Sequence, residues 1–228
     1  MGQKSTELLP ISSVTRSHAE ARANYDALSR WYDTLEGGWE RRPRARAIQN
    51  LTVPPNARVL EIGCGTGTSL ADLAVKAGLG GQIFGVDLSA GMLRVAKNHM
   101  RNRKISSPVF LCQTDALTLP FSSAFFQALF MSFTLELFDT PEIPLILSEC
   151  RRVLQPGAVL GLVATSRMGG IEWMTSLYEF FHRKFPRTVD CRPIFAASAL
   201  EAAGFKLLSA EVESLWGIGL EIITARKS

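Results

Sequence analysis

Along most of the chain, short apolar runs alternate with stretches of helical spacing, a pattern that predicts repeated strand-helix units. The sharpest run is Val59-Leu60-Glu61-Ile62, followed by Gly63, Gly65 and Gly67. Val59, Leu60 and Ile62 suit a strand covered on both faces. The alternate glycines predict a tight loop with positive φ, where a ligand can lie against backbone N–H groups. Leu70, Leu73, Ala74 and Ala77 then recur at helical intervals up to Gly78, with Thr66 or Thr68 as the expected cap. A second strand is predicted over Gln82 to Val86, a helix from Ala90 to about Asn102, and a third strand over Val109 to Cys112. A fourth strand follows over Phe125 to Met131, a helix from Pro141 to about Leu154, and a fifth strand over Ala158 to Ala164. Ser198 to Ala203 reads as a short helix stopped by Gly204. Phe205 to Glu213 and Leu215 to Ala225 read as an antiparallel pair completing the sheet. The expected fold is a doubly wound α/β domain, its seven-stranded sheet mostly parallel with an antiparallel C-terminal strand.

The first 50 residues form a lead-in or helical cap before this domain, which occupies 51–228. From His18 to about Leu35, Tyr25, Leu28, Tyr32 and Leu35 fall at i, i+3, i+7 and i+10. That stripe either packs as core or closes over a ligand with its tyrosine hydroxyls. Gly37-Gly38 ends it. Arg41, Arg42, Arg44 and Arg46 follow, either as a solvated face or as a docking surface for acidic head groups. An insertion is expected near 166–195, where Trp173, Tyr178, Phe180, Phe181 and Phe185 cluster.

A net charge of +4 and a pI near 9.0 permit acidic substrates or peripheral membrane contact without calling for nucleic acid. The four cysteines are scattered and lie near no histidine cluster, which argues against a metal site or disulfide framework and toward a cytoplasmic location. No segment is apolar enough to span a bilayer, because Phe121 to Phe138 is interrupted by Ser122, Ser123, Gln127, Ser132, Thr134 and Glu136. The N-terminus has no apolar core of signal-peptide type.

The chemistry concentrates where strands end. Asp87 closes the second strand about twenty residues beyond Gly67, the spacing at which a carboxylate accepts hydrogen bonds from both hydroxyls of a ribose. It could instead cap the next helix, although Ser89 is free to do so. Asp115, just past the third strand, is either a turn residue or an acceptor for an exocyclic amine such as adenine N6. Ser132-Phe133-Thr134 leaves the fourth strand beside the first, where both cofactor and substrate are lined.

This order of parts resembles the class I S-adenosylmethionine-dependent methyltransferases, with their Rossmann-like fold, and within them the ubiquinone/menaquinone-biosynthesis branch (methyltransferase type 11). The resemblance rests on Val59 to Gly67, Gly85-Val86-Asp87-Leu88-Ser89, Asp115-Ala116 with Leu119-Pro120-Phe121, and Glu149 to Gly157. It implies S-adenosyl-L-methionine as cofactor. Gly63, Cys64, Gly65 and Gly67 cradle its methionine part, with Glu61 organising the loop. Asp87 holds the ribose, Leu88 and Met92 pack near the adenine, and Asp115 and Ala116 sit at the adenine edge. Ser132 and Phe133 flank the methyl group; Tyr25 and Tyr32, where their stripe closes over a ligand, are the remaining expected cofactor contacts. Phe126-Gln127 and Pro156-Gly157-Ala158 depart from the family pattern without touching these contacts. The residues after Tyr32-Asp33 differ from the quinone enzymes.

The expected activity is methylation of a small, hydrophobic or ring-bearing acceptor at carbon, oxygen or nitrogen. A dedicated acid or base need not exist. His182 and Tyr32 are the candidates, and Tyr32, His182, Arg192 and Trp216 are the candidate substrate contacts. Two other readings stand beside it: a non-catalytic S-adenosylmethionine-binding module, and a nicotinamide-dependent oxidoreductase. Gly-x-Gly-x-Gly in place of Gly-x-Gly-x-x-Gly argues against the latter.

Overall fold

The computed structural model describes residues 14, 17–29, 38–103, 105, 107–171 and 191–228. Its centre is a seven-stranded sheet built from β1 (Arg58–Ile62), β2 (Gln82–Asp87), β3 (Val109–Gln113), β4 (Phe126–Ser132), β5 (Leu154–Ser166), β6 (Phe205–Leu215) and β7 (Ile218–Lys227). The spatial order is β3-β2-β1-β4-β5-β7-β6. β1 to β5 pair in parallel, β7 runs antiparallel to both its neighbours, and the fold class read from the sequence is thereby met. The order reverses between β1 and β4, and doubly wound folds bind ligands at that switch point.

Val59, Leu60 and Ile62 are almost wholly buried because helices cover both faces of the sheet. On one face, α2 (Arg41–Asn50), α3 (Thr68–Ala77) and α4 (Ala90–Asn102) enclose Val59, Ile83, Phe130 and Val163. On the other, α5 (Ile143–Val153) and α6 (Ala196–Ala202) enclose Leu60, Leu129, Leu162 and Ile223. The first helix, α1 (His18–Leu28), is different. It has a capping box between Ser17 and Glu20 but no buried residue between its ends. The tyrosine stripe is therefore not core over its described part, and the helix ends at Leu28, short of Leu35. Residues 30–37 lie outside the described residues.

Several boundaries differ from the reading above for local reasons. β5 begins at Leu154 and includes Gly157, whose φ of 75° carries the chain through a bend that Pro156-Gly157 had suggested was a turn between elements. α2 holds the arginine run Arg41, Arg42, Arg44 and Arg46. α3 is capped by Gly67 with φ 81° and has no side-chain cap hydrogen bond, so neither Thr66 nor Thr68 is the cap. Ser89 does cap α4, accepting from Met92 N–H at 3.1 Å. The final turn falls at Trp216-Gly217 rather than near Ser214.

Candidate cofactor site

One cavity opens over the C-terminal ends of β1, β2, β3 and β4, beneath α1. Glu61, Gly63, Cys64 and Gly65 line it from the first strand and its loop, Asp87 and Leu88 from the second, and Met92 from α4. Asp115, Ala116, Ser132 and Phe133 line its other walls, and Tyr25 its roof. Twelve of the predicted positions thus converge on one space, drawn from the ends of separate strands.

Asp87 is clamped. Its Oδ2 accepts from Gly65 N–H at 2.9 Å and its Oδ1 from Ser89 N–H at 2.8 Å. Burial raises its pKa above the ordinary carboxylate value, opposed by those N–H bonds. Each oxygen keeps a second lone pair, enough for the two hydroxyls of a ribose.

The glycine loop works differently from expectation. Gly63 and Cys64 N–H both donate to Val86 O, at 2.9 and 3.0 Å, and Gly67 N–H donates to Cys64 O at 2.8 Å. With Gly65 committed to Asp87, these amides hold the loop rather than a ligand. The glycines serve by close approach. A Cβ on Gly63 would lie 2.4 Å from Thr134 Oγ1, and one on Gly67 2.9 Å from Ala96 Cβ. Gly67 therefore docks the loop against α4 and does not line the cavity. Gly65 has φ 51°, and a Cβ there would meet nothing within 4 Å, which leaves the space over the loop clear for a ligand.

Glu61 is the strongest sign of what fills it. The carboxyl is buried, and its Oε2 has no hydrogen-bond partner among the described residues. Burial, reinforced by the charges of Asp87 and Asp72 and opposed by a Ser69 hydrogen bond and the nearby Arg44, pushes its pKa up to about 8. A buried acid in a cavity wall with a spare oxygen fits a cationic ligand.

Arg44 was hidden in the charge run. Its guanidinium donates to Thr68 Oγ1 at 2.7 Å and Glu40 Oε2 at 2.6 Å, and approaches Ser132 Oγ at 3.4 Å. Its side chain is only 12% exposed, unlike those of Arg41 and Arg42. The signal was present: Glu40 and Arg44 are spaced i, i+4, as an ion pair on one helical face would be. Phe133 adopts φ 51°, strained for a bulky residue, and its ring meets Trp39 edge-on at 5.0 Å.

Asp115 has unexpected company. His18 of α1 places Nδ1 2.5 Å from Asp115 Oδ2 and Nε2 2.9 Å from Glu142 Oε1, while Leu117 N–H bonds Asp115 Oδ1 at 3.0 Å. His18 carried no sequence signal because its partners lie about a hundred residues away.

Two expected substrate contacts lie elsewhere. Arg192 has no exposed surface; it donates to Thr140 Oγ1 at 3.0 Å and to Phe138 O, among Glu136, Asp139 and Glu142. Contrary to expectation, it ties loops together and does not line the cavity. Trp216 is 78% exposed on the β6–β7 turn, outside the cavity. Tyr32 and His182 lie outside the described residues. No group of three metal-binding side chains occurs among the described residues.

A strand-end cavity with a ribose-type carboxylate, a glycine loop clear of side chains and a buried acid fits S-adenosylmethionine. The chain is similar to S-adenosylmethionine-dependent methyltransferases, and among them to enzymes of ubiquinone and menaquinone biosynthesis. Residues 59–157 match the family model described as a methyltransferase domain. The chain is 32% identical over 146 residues to the ubiquinone/menaquinone biosynthesis C-methyltransferase UbiE of Paraburkholderia xenovorans, covering 64% of this chain and 57% of that protein. It is 29% identical over 167 residues to a demethylmenaquinone methyltransferase of Desulfitobacterium hafniense, covering 70% and 64%. The chain thus matches less than two thirds of the length of these relatives. Among solved structures, the [4+2]-cyclase SpnF is similar with a TM-score of 0.73 at 22% identity, covering 95% of this chain and 98% of that one. A Burkholderia thailandensis 1,6-didemethyltoxoflavin-N1-methyltransferase is similar with a TM-score of 0.66 at 16% identity, covering 96% and 94%. These two likenesses bear on the fold alone, since a cyclase and a methyltransferase share it.

Proposed function

We propose that this chain transfers a methyl group from S-adenosylmethionine to a ring carbon of a small, hydrophobic acceptor of the quinol type. The observation that carries this reading is the cavity itself, where Glu61, Gly65 and Asp87 share one space with Ser132 and Phe133. The names of the relatives support the acceptor class, and the aromatic side chains of Tyr25, Phe133 and Phe138 in the cavity lining agree with it.

When bound, S-adenosylmethionine supplies an electrophilic methyl on a sulfonium, so the protein's task is placement and exclusion of water. Asp87, fixed by its two N–H donors, holds the ribose. Glu61 faces the cationic part, and Arg44 balances the amino-acid carboxylate from the end of the cavity near Thr68. Phe133, held by its N–H to Val163 O at 2.8 Å, directs its ring beside the first strand's exit and keeps that side of the cavity dry. With the cofactor held by Asp87, Glu61 and Arg44, an acceptor ring carbon would be placed in line with that methyl between Ser132 and Phe133.

Calorimetry of the purified chain tests the cofactor, and radiolabelled methyl transfer to a short-chain demethylmenaquinol tests the acceptor. Wild type should bind and Asp87→Ala should not. Cofactor binding without transfer to any reduced quinone would sink the acceptor and favour the binding-module reading.

A further inference from the structure

The apolar side chains exposed at the cavity end of the sheet gather around the β6–β7 turn. Trp216 is 78% exposed, Met168 51%, Ile171 49% and Val212 45%. Their backbones meet around that turn. Ile171 N–H donates to Gly217 O at 2.8 Å, and a Cβ on Gly169 would lie 2.5 Å from Val212 Cγ1. Ser166 of β5 pairs with Gly219, so the turn projects from the same sheet end as the exits of β1 and β4.

The turn is itself unusual. Trp216 and Gly217 have φ 51° and 81° between the paired residues Leu215 and Ile218. A two-residue turn with both centres left-handed favours Asn-Gly, and a tryptophan at its first centre is strained. That strain holds an indole out in solvent, where it gains nothing for the fold.

Cations accompany the patch. α2 packs on β5 and β7 and reaches β6 through its side chains, with Arg46 paired to Glu211 and Glu213 and Asn50 donating to Glu211. One helical turn back from Arg46, toward the hairpin tip, stand Arg42 and Arg41, both exposed. Glu211 and Glu213, the carboxylates nearest on β6, already face Arg46.

We propose that this end of the molecule docks on an anionic lipid bilayer, with Trp216, Met168 and Ile171 entering the interface and Arg41 and Arg42 facing lipid phosphates. An acidic protein partner would satisfy the arginines but gives no role to separate apolar side chains around a tip. Tryptophan is suited to the boundary between water and lipid. The proposal is independent of methyl transfer, and it turns the cavity mouth toward the membrane.

The test is sedimentation of the full chain with vesicles of phosphatidylcholine alone or mixed with phosphatidylglycerol, with cofactor binding measured in parallel as a control for the site. Wild type should sediment with the anionic vesicles only. Trp216→Asn, which suits the turn and should fold at least as well, should weaken partition about tenfold. Arg41→Gln with Arg42→Gln should weaken it about thirtyfold, from roughly 1 kcal/mol per arginine. Both variants should retain cofactor affinity. Wild type left in the supernatant with both vesicles, or variants that sediment like wild type, would overturn the proposal. So would self-association without lipid that Trp216→Asn abolishes, because a second copy would then occupy the patch.

Discussion

Glu61 carries a cost in the ligand-free protein that a cationic ligand would remove. Its pKa of about 8 means that the carboxyl is largely protonated at neutral pH, whereas a nearby positive charge favours the carboxylate. Binding of S-adenosylmethionine should therefore release a proton, and affinity should rise with pH up to about 8. Calorimetry in buffers of different ionisation enthalpy counts that proton. S-adenosylhomocysteine, which lacks the sulfonium charge, should release less. Glu61→Gln should abolish the release, weaken binding at least about tenfold and raise the ligand-free melting temperature, since an amide carries no charge to bury. A variant that binds normally would show that the spare oxygen faces no part of the ligand. Arg44→Gln should likewise weaken binding about tenfold or more, measured the same way. These two residues were not equally legible in the sequence. Glu61 belongs to the glycine motif, and Asp87 follows from spacing along the chain. Arg44 lies in a run of arginines whose neighbours are solvated, and only the fold distinguishes the one that turns inward.

At the scale of the element, α1 is a cover held by polar contacts rather than by buried apolar surface. Its C-terminal half is fixed by Asp26, whose Oδ1 accepts from Ser89 Oγ at 2.6 Å and Gly91 N–H at 2.8 Å at the start of α4. Its N-terminal end is fixed by His18 between Asp115 and Glu142, with Val14 N–H donating to Asp139 at 3.0 Å. Burial alone would lower the His18 pKa, but the hydrogen bond and charge of Asp115, together with Glu142, outweigh it and leave it above 6.5. The His18 contact is thus fully present below pH 6.5 and is lost as pH rises through the elevated folded value. Asp26 works in the opposite sense. The Ser89 hydrogen bond, against burial and helped by Gly91 N–H, lowers its pKa below 3.8, so its contact holds above that value and fails in acid. Amide protection across 18–28, taken relative to the intrinsic exchange rate at each pH, should be greatest in the window between and should fall as pH rises through the elevated His18 value. In His18→Gln that alkaline loss of protection should vanish; a loss that persists would mean that some other group holds the helix. None of this was legible from periodicity. A heptad-like tyrosine stripe reads the same whether it meets a core or roofs a cavity, and only Tyr25 and Leu28 of that stripe lie within the described residues.

For the whole molecule, the sequence located strands by their burial on both faces, and the order of glycine, proline and aspartate between them was enough to predict the doubly wound sheet with its antiparallel addition. The turn at Trp216-Gly217 escaped because tryptophan is not a turn former, and β5 proved longer than expected because Gly157 bends the chain without ending the strand. The cavity touches four parallel strands or their loops, α4 and α1, so a ligand that fills it bridges elements otherwise joined mainly through the sheet. Such a ligand should stabilise the native state by mass action. At a free concentration one hundred times its Kd the gain is about 2.7 kcal/mol, or a rise in melting temperature of about 5–10 °C for a chain of this length. Thermal unfolding with S-adenosylmethionine should show that rise, and Asp87→Ala should lose it while keeping its helical signal. Because α1 roofs the same cavity, the ligand should also slow amide exchange in 18–28, far in sequence from Asp87. A thermal shift without protection of α1 would place the ligand on the sheet edge with the cover open, and protection equal to that of β1 would mean that cover and sheet respond as one unit.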